Sequence, residues 1–197
     1  MTIVGRTGSG KSTLGCWMLG RSPGTWIILN PKHTAAYKSL PNSITLKGFN
    51  YQKLDKLMRE YKFIDIQPQS FESTPEAMDD FIAYIQENYT NIGICIDELY
   101  TLHKNGVAGE GLKGLLTRGR ELKQSYLGMT QRPVLISKFC FTEADYVVGM
   151  TLLTDDDRKM VYKNTGNPKF MEQLPPHEWL YFEASTLTIR HFLPVPI

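Results

Sequence analysis

No stretch of the 197 residues approaches the roughly 20 consecutive apolar positions that a membrane-spanning helix requires. The apolar patch around Leu14 to Leu19 follows a glycine-rich turn rather than a basic leader, which argues against an export signal. Surplus charge is missing as well. Lys plus Arg total 22 against 20 for Asp plus Glu, so the net charge of +2 creates no global field for nucleic acid, and any such contact has to be local. Cysteine is scarce: Cys16, Cys95 and Cys140 lie too far apart for a paired zinc-ligand pattern. An odd number in a chain without an export signal also argues against a disulfide framework, and the three read as packing residues. His33, His103, His177 and His191 are scattered and show no metal-ligand spacing.

What is present is the composition of a folding chain, 42% hydrophobic and 21% charged, with a length that suits one α/β domain spanning 1–197 and is short for two. Met1 to Val4 reads as a minimal strand running straight into Gly5-Arg6-Thr7-Gly8-Ser9-Gly10-Lys11-Ser12, with a helix from Thr13 to about Leu19, so the reading places no domain ahead of the motif. Trp26 to Leu29, Phe63 to Ile66, Ile92 to Ile96, Tyr126 to Met129 and Tyr146 to Val148 are the expected buried strands. Helical spacing marks Leu54, Leu57, Met58 and Tyr61. It also marks Met78, Phe81, Ile82, Ile85 and Tyr89, behind a capping box at Ser73-Thr74-Pro75-Glu76. A Gly-rich loop and a helix reaching Lys123 follow Asp97-Glu98 at the end of the Ile92 to Ile96 strand, Asp155 to Lys163 forms a short charged helix, and Trp179 to Phe182 with Thr186 to Phe192 forms a terminal hairpin. Alternating strands and helices predict a mostly parallel central sheet flanked by helices, with an antiparallel edge at the C-terminus.

The run Gly5-x4-Gly10-Lys11-Ser12 is the P-loop pattern. Glycines let backbone N–H groups curl around phosphate oxygens, the following helix adds its N-terminus, Lys11 neutralises β/γ-phosphates and Ser12 ligates Mg²⁺. Gly8, Ser9, Gly10, Lys11, Ser12 and Thr13 are the expected ATP-binding residues. Asp97 ends a hydrophobic strand, from which a carboxylate reaches the Mg²⁺, and Glu98 beside it can polarise an attacking water. That acidic pair favours hydrolysis over transfer to a bound acceptor. Thr130-Gln131-Arg132-Pro133 ends the next strand, where Gln131 can touch both the water and the γ-phosphate. Arg118 and Arg120, in Thr117-Arg118-Gly119-Arg120-Glu121, are candidates to enter a neighbouring subunit's ATP site as an arginine finger.

Together, GRTGSGKST, a strand ending in IDEL, and LLTRGRELKQSYLGMTQRP resemble the FtsK/HerA superfamily of DNA-translocating ATPases over about Ile3 to Gly149. Within it the match is nearest to the small genome-packaging ATPases of tailless, membrane-containing viruses with double-jelly-roll capsids. The resemblance implies a RecA-like (ASCE) P-loop ATPase core that assembles as a homo-oligomeric ring, with six subunits expected, and threads double-stranded DNA through its centre. It assigns Lys11 and Ser12 to Walker A, Asp97 and Glu98 to Walker B, Gln131 to the sensor, and Arg118 or Arg120 to the trans finger, with Arg132 a weaker third. Larger members carry an N-terminal barrel or anchor, so recruitment to a capsid vertex or viral membrane protein would use another surface, in the virion or the host cytoplasm.

For DNA contact, the segment Thr101 to Gly111, read as a flexible loop with His103, Lys104 and Asn105, is one candidate, and Lys32 with His33 is another. The leading expectation is a genome-packaging motor. A virion assembly or secretion ATPase acting on protein is the alternative, and a small-molecule P-loop kinase is disfavoured by Glu98 and by the lack of an Arg-rich lid.

Overall fold

The computed structural model describes residues 1–196. Strand β1 (Thr2–Val4) leads through the glycine-rich turn into α1 (Lys11–Arg21) and β2 (Thr25–Leu29). After a 3₁₀ turn at Ala35–Ser39 come β3 (Ser43–Lys47), α2 (Tyr51–Glu60), β4 (Phe63–Gln67), α3 (Pro75–Asn88) and β5 (Ile92–Ile96). A second 3₁₀ turn at Leu99–Leu102 opens a two-residue-stranded hairpin, β6 (His103–Lys104) and β7 (Val107–Ala108), before α4 (Glu110–Arg118). Then follow β8 (Ser125–Thr130), α5 (Phe139–Thr142), β9 (Tyr146–Gly149), α6 (Asp155–Thr165), β10 (Trp179–Glu183) and β11 (Thr188–Phe192).

The main sheet has the order β11-β10-β9-β1-β8-β5-β2-β4-β3. From β9 to β3 every neighbouring pair is parallel, whereas β10 pairs antiparallel with both β9 and β11. Both faces are covered, so the inner strands read as unbroken apolar runs: all residues of β4 and β5 are buried. One face packs against Leu54 and Leu57 of α2, Phe81, Ile82 and Ile85 of α3, Leu112 and Leu115 of α4 and Val161 of α6. The other packs against Leu14 and Leu19 of α1 and Tyr37 of the 3₁₀ turn. Cys95 and Cys140 are unpaired and buried, and Cys16 is unpaired and half-buried. The antiparallel edge is held by stacked aromatics, with Trp179 over Phe192 at 4.4 Å and Tyr146 over Tyr181 at 5.2 Å.

Two local expectations are corrected, and one strand is added to those expected. Helix α3 is capped by Thr74, whose Oγ1 accepts from the Ala77 N–H at 3.2 Å, so Glu76 falls one position short of closing a reciprocal box and instead receives the Lys104 ammonium at 2.8 Å. Helix α4 stops at Arg118 rather than Lys123, because the chain folds back with Gln124 N–H donating to Gly119 O at 2.7 Å and Lys123 in a left-handed conformation. Strand β3 had no clear signal: it is an edge strand in which Leu46 alone is buried.

Candidate nucleotide site

Because β1, β8 and β5 are parallel neighbours, their carboxyl ends deliver the glycine-rich turn, Gln131 and the Asp97-Glu98 pair to one edge of the sheet. Strand β8 lies between the other two, so Gln131 emerges between the phosphate loop and the acids.

The turn after β1 is pinned on both sides, by Gly5 N–H to Thr130 O at 3.2 Å and Arg6 N–H to Thr151 O at 2.7 Å. Gly8 and Gly10 have φ of 76° and 98°, values that side chains resist. Helix α1 begins at Lys11 with no side chain capping it, so its first N–H groups are left for an anion. Lys11 is buried and its ammonium donates across the loop to Arg6 O at 3.0 Å. Burial pulls its pKa down, while the charges of Glu98 and Asp97 push it back up. Ser9 is buried, Ser12 is half-buried beside Lys11, and Gly8 and Thr13 are exposed on the rim.

Asp97 and Glu98 are 3% and 4% exposed. Burial raises the pKa of Asp97, with the nearby Tyr37 hydroxyl opposing it; that hydroxyl is itself buried and makes no hydrogen bond of full geometry. Glu98 adopts a left-handed backbone, φ 68°, that turns its carboxylate back toward the sheet edge. Gln131 Nε2 donates to Glu98 Oε2 at 3.2 Å, and Gln131 Oε1 accepts from the Thr7 hydroxyl of the phosphate loop. Glu98 Oε1 is ion-paired with Lys32. The Asp97 carboxylate and the Ser12 hydroxyl are hard-oxygen donors of the kind Mg²⁺ prefers, so by their chemistry these residues fit that ion.

The structure therefore brings together Gly8, Ser9, Gly10, Lys11, Ser12, Thr13, Asp97, Glu98 and Gln131. It keeps Arg118 and Arg120 apart from them. Both sit exposed where α4 ends and β8 begins, at the amino edge of the sheet, and the six residues of β8 separate them from Gln131 by about 17 Å. Arg120 is tied to Asp145 at 2.6 Å. Arg132 stands at the correct edge, 3.7 Å from the buried Asp157. The segment read as a flexible loop is instead the 3₁₀ turn and β6–β7 hairpin, closed by Asn105 and Gly106 in left-handed conformations. Within it His103 is buried, its Nδ1 bonded to Leu99 O at 2.9 Å, which removes it as a DNA contact. Lys104 does face solvent.

Four site residues escaped the sequence. Thr7 occupies a free position of the P-loop pattern, and Lys32 was read with His33 as a DNA contact rather than as the ion-pair partner of Glu98. Tyr37 lies under Asp97, and His177 Nδ1 donates to Ser9 O at 3.3 Å from a segment 168 residues away. Nothing local marks either of the last two.

The fold and the loop together define a RecA-like P-loop ATPase architecture. No protein-family model matches the chain. It is similar to the DNA packaging ATPase P9 of Enterobacteria phage PRD1, 26% identical over 165 residues, a match spanning 81% of this chain and 66% of that protein. Its fold is that of the genome packaging NTPase B204 of Sulfolobus turreted icosahedral virus 2, solved in complex with AMPPCP, with TM-score 0.75 at 17% identity over 98% of this chain and 96% of that one. VirB4 of Thermoanaerobacter pseudethanolicus shares it too, with TM-score 0.75 at 10% identity over 100% and 89% of the two chains. The resemblance to viral packaging ATPases read from GRTGSGKST, IDEL and TQRP is borne out by these likenesses.

Proposed function

We propose that this chain is an ATP-hydrolysing motor that moves double-stranded DNA, packaging a viral genome into a preformed capsid. The observation that carries the reading is the continuous chain of contacts from the phosphate loop through Thr7 and Gln131 to Glu98, which links the presence of a γ-phosphate to the orientation of the catalytic carboxylate. Its likeness to two viral packaging ATPases supports DNA as the substrate of the motion.

In this mechanism the N–H groups of Gly8 to Ser12 and the Lys11 ammonium bind the β- and γ-phosphates of ATP. Ser12 and Asp97 would hold Mg²⁺, which supplies charge neutralisation at the phosphate oxygens when bound. Glu98 orients a water and accepts its proton, and Gln131 fixes both that water and the carboxylate. Among the described residues, Lys11 is the buried cation of the phosphate loop and Lys32 is paired with Glu98, and a ring in which a neighbour donates an arginine would add a further cation at the phosphates. Arg118 is the better candidate of the two expected, since Arg120 is held by Asp145. A hexameric ring, a capsid-vertex or viral-membrane partner, and residence in the virion or the infected cytoplasm complete the proposal. Among the described residues, no helix is long and apolar enough to cross a membrane. The exposed Lys104 on the β6–β7 hairpin is the proposed phosphate contact at the pore.

The test is ATPase rate with and without linear duplex DNA on fractions separated by size. Stimulation confined to assembled rings is expected. Assembled rings indifferent to DNA would overturn the reading and favour an ATPase that works on protein.

A further inference from the structure

The amino edge of the sheet, opposite the phosphate loop, opens into a groove of about 1150 Å³. It forms because the two faces of the antiparallel edge are covered unequally. Val161 of α6 and Phe170 pack on the face that carries Val147, Leu180 and Phe182. On the other face α1 is the only α-helix among the described residues, and it packs beside β8. Tyr146, Trp179, Tyr181 and Phe192 are left there to stack on one another, and with Trp17 they give the groove an aromatic floor. Around it stand Arg21, Arg120, Lys123 and Arg190 against Glu143 and Asp145. Arg120 and Asp145 neutralise each other at 2.6 Å, and Arg21 lies 4.1 Å over the Trp17 ring. Lys123 and Arg190 are exposed and meet no carboxylate within ion-pair distance among the described residues. Aromatic rings rimmed by arginine make a protein-binding hot spot, and the surplus of cations calls for an acidic occupant.

The chain carries such an occupant at its opposite edge. Leu153 is 71% exposed and is followed by the exposed acids Asp155 and Asp156 at the start of α6. Asp155 is paired with Arg158, and Asp156 has no cation partner among the described residues. Thr154 fixes the segment by capping α6, its Oγ1 accepting from Asp157 N–H at 3.1 Å. Just before it, Thr151 O accepts from Arg6 N–H at 2.7 Å, so the segment flanks the phosphate loop. Strand β9 holds the groove residue Tyr146 at its amino end and leads to Leu153 beyond its carboxyl end. The two features therefore leave opposite edges of one sheet, and no copy can fill its own groove.

We propose that the groove is the socket for the Leu153–Asp156 segment of a second copy of this chain, with Leu153 on the aromatic floor and Asp156 against Arg190. The contact is head-to-tail: each copy offers a knob at one edge and a socket at the other, and repetition closes a ring where the rotation allows it. This rests on the reading of the chain as a ring ATPase and gives that ring its interface. Arg118 lies between Leu116 and Arg120, which both line the socket, and the knob flanks the phosphate loop. Seating one in the other carries Arg118 toward the neighbour's nucleotide.

Sedimentation velocity over a range of concentrations, with Mg²⁺ and a slowly hydrolysed ATP analogue, tests this on wild type, Arg190→Glu, Asp156→Arg, Leu153→Ser and an equimolar mixture of the two charge variants. Each charge variant alone sets like charges against each other and should weaken assembly roughly 10- to 100-fold. The mixture should assemble like wild type, because every knob then meets a socket of opposite sign. Leu153→Ser, which changes an exposed side chain, should weaken assembly roughly tenfold. Binding of a fluorescent ATP analogue to the monomers, unchanged in all variants, separates a lost contact from a misfolded chain. Wild-type rings whose assembly the substitutions leave intact overturn the socket while the ring stands, and so does a mixture that stays apart. A wild type that is monomeric at every concentration overturns ring and socket together. Open chains that the substitutions dissolve keep the socket and overturn the closed ring.

Discussion

Gln131 bridges Thr7 and Glu98: its carbonyl oxygen accepts from the hydroxyl of the phosphate loop, and its amide nitrogen donates to the carboxylate at 3.2 Å. The bridge exists because β8 is inserted between β1 and β5, so one side chain spans two loops whose strands are not adjacent. A phosphate that displaces Thr7 would reorient Gln131 and with it Glu98.

Glu98→Gln keeps the size of the side chain and loses the charge that, in the proposed mechanism, takes the proton from water. Mg-ATP binding should be near normal while turnover falls by on the order of 10²-fold or more. Lys11→Ala should instead lose nucleotide binding. Equilibrium binding of a fluorescent ATP analogue beside steady-state turnover separates the two, and parental hydrolysis by the Glu98 variant would refute its assignment as base.

Gln131→Ala removes the bridge without touching the phosphate cradle. The loss should appear in kcat, on the order of 10²-fold, with KM for ATP little changed. A rise in KM at constant kcat would mean that Gln131 only binds.

Arg118 and Arg120 stand at the opposite edge from the phosphate loop, so either can act only on a neighbour. Hydrolysis should fall on dilution below ring assembly, since a finger in trans contributes on the order of 10³ to 10⁵ in rate. Arg118→Ala protein, inactive alone, should regain activity when mixed with Lys11→Ala protein, whose intact arginine serves the sound site of its partner. Mixed rings without recovery for Arg118 or for Arg120 would remove both from the role.

His103 supplies a pH dependence. Burial lowers its pKa, against the opposing effects of its bond to Leu99 O and the charge of Asp79. In the unfolded chain the imidazole titrates near its ordinary value of about 6.5, so below that pH the unfolded state binds more protons than the folded one. Stability contributed by neutral His103 is therefore present above about pH 6.5 and declines as the pH falls toward the depressed folded pKa. Thermal melts from pH 8 to 5 should show this as a falling Tm, by roughly 2–4 °C per kcal/mol lost, with a shallower slope in His103→Gln. An equal slope in both proteins would assign the acid sensitivity elsewhere.

Much of this was legible in the chain itself. Ile92 to Ile96 followed by two acids, and a β-branched strand running into Gly5-x4-Gly10-Lys11-Ser12, specify buried strands and a phosphate loop through contacts between residues close in sequence. The apolar face Met78, Phe81, Ile82 and Ile85 marked α3 for the same reason, since helical periodicity is written in one segment. The terminal hairpin was legible from two strand-like runs around a turn. Strand β3 was not, because an edge strand with one buried side chain carries little pattern, and the Thr101 to Gly111 segment misled because glycines that close a tight hairpin look like those of a mobile loop.

The sequence by itself determined the identity of the phosphate loop, the two acids and the glutamine, because each is a local pattern whose chemistry depends on spacing along the chain. Only the tertiary structure decided which of them touch. The order of strands puts Gln131 between Thr7 and Glu98, sends Arg118 and Arg120 to the far edge, buries His103 and lays Lys32 on Glu98. These are outcomes of sheet packing between segments remote in sequence, where burial and strand neighbours, which no local pattern encodes, fix the partner each charge finds.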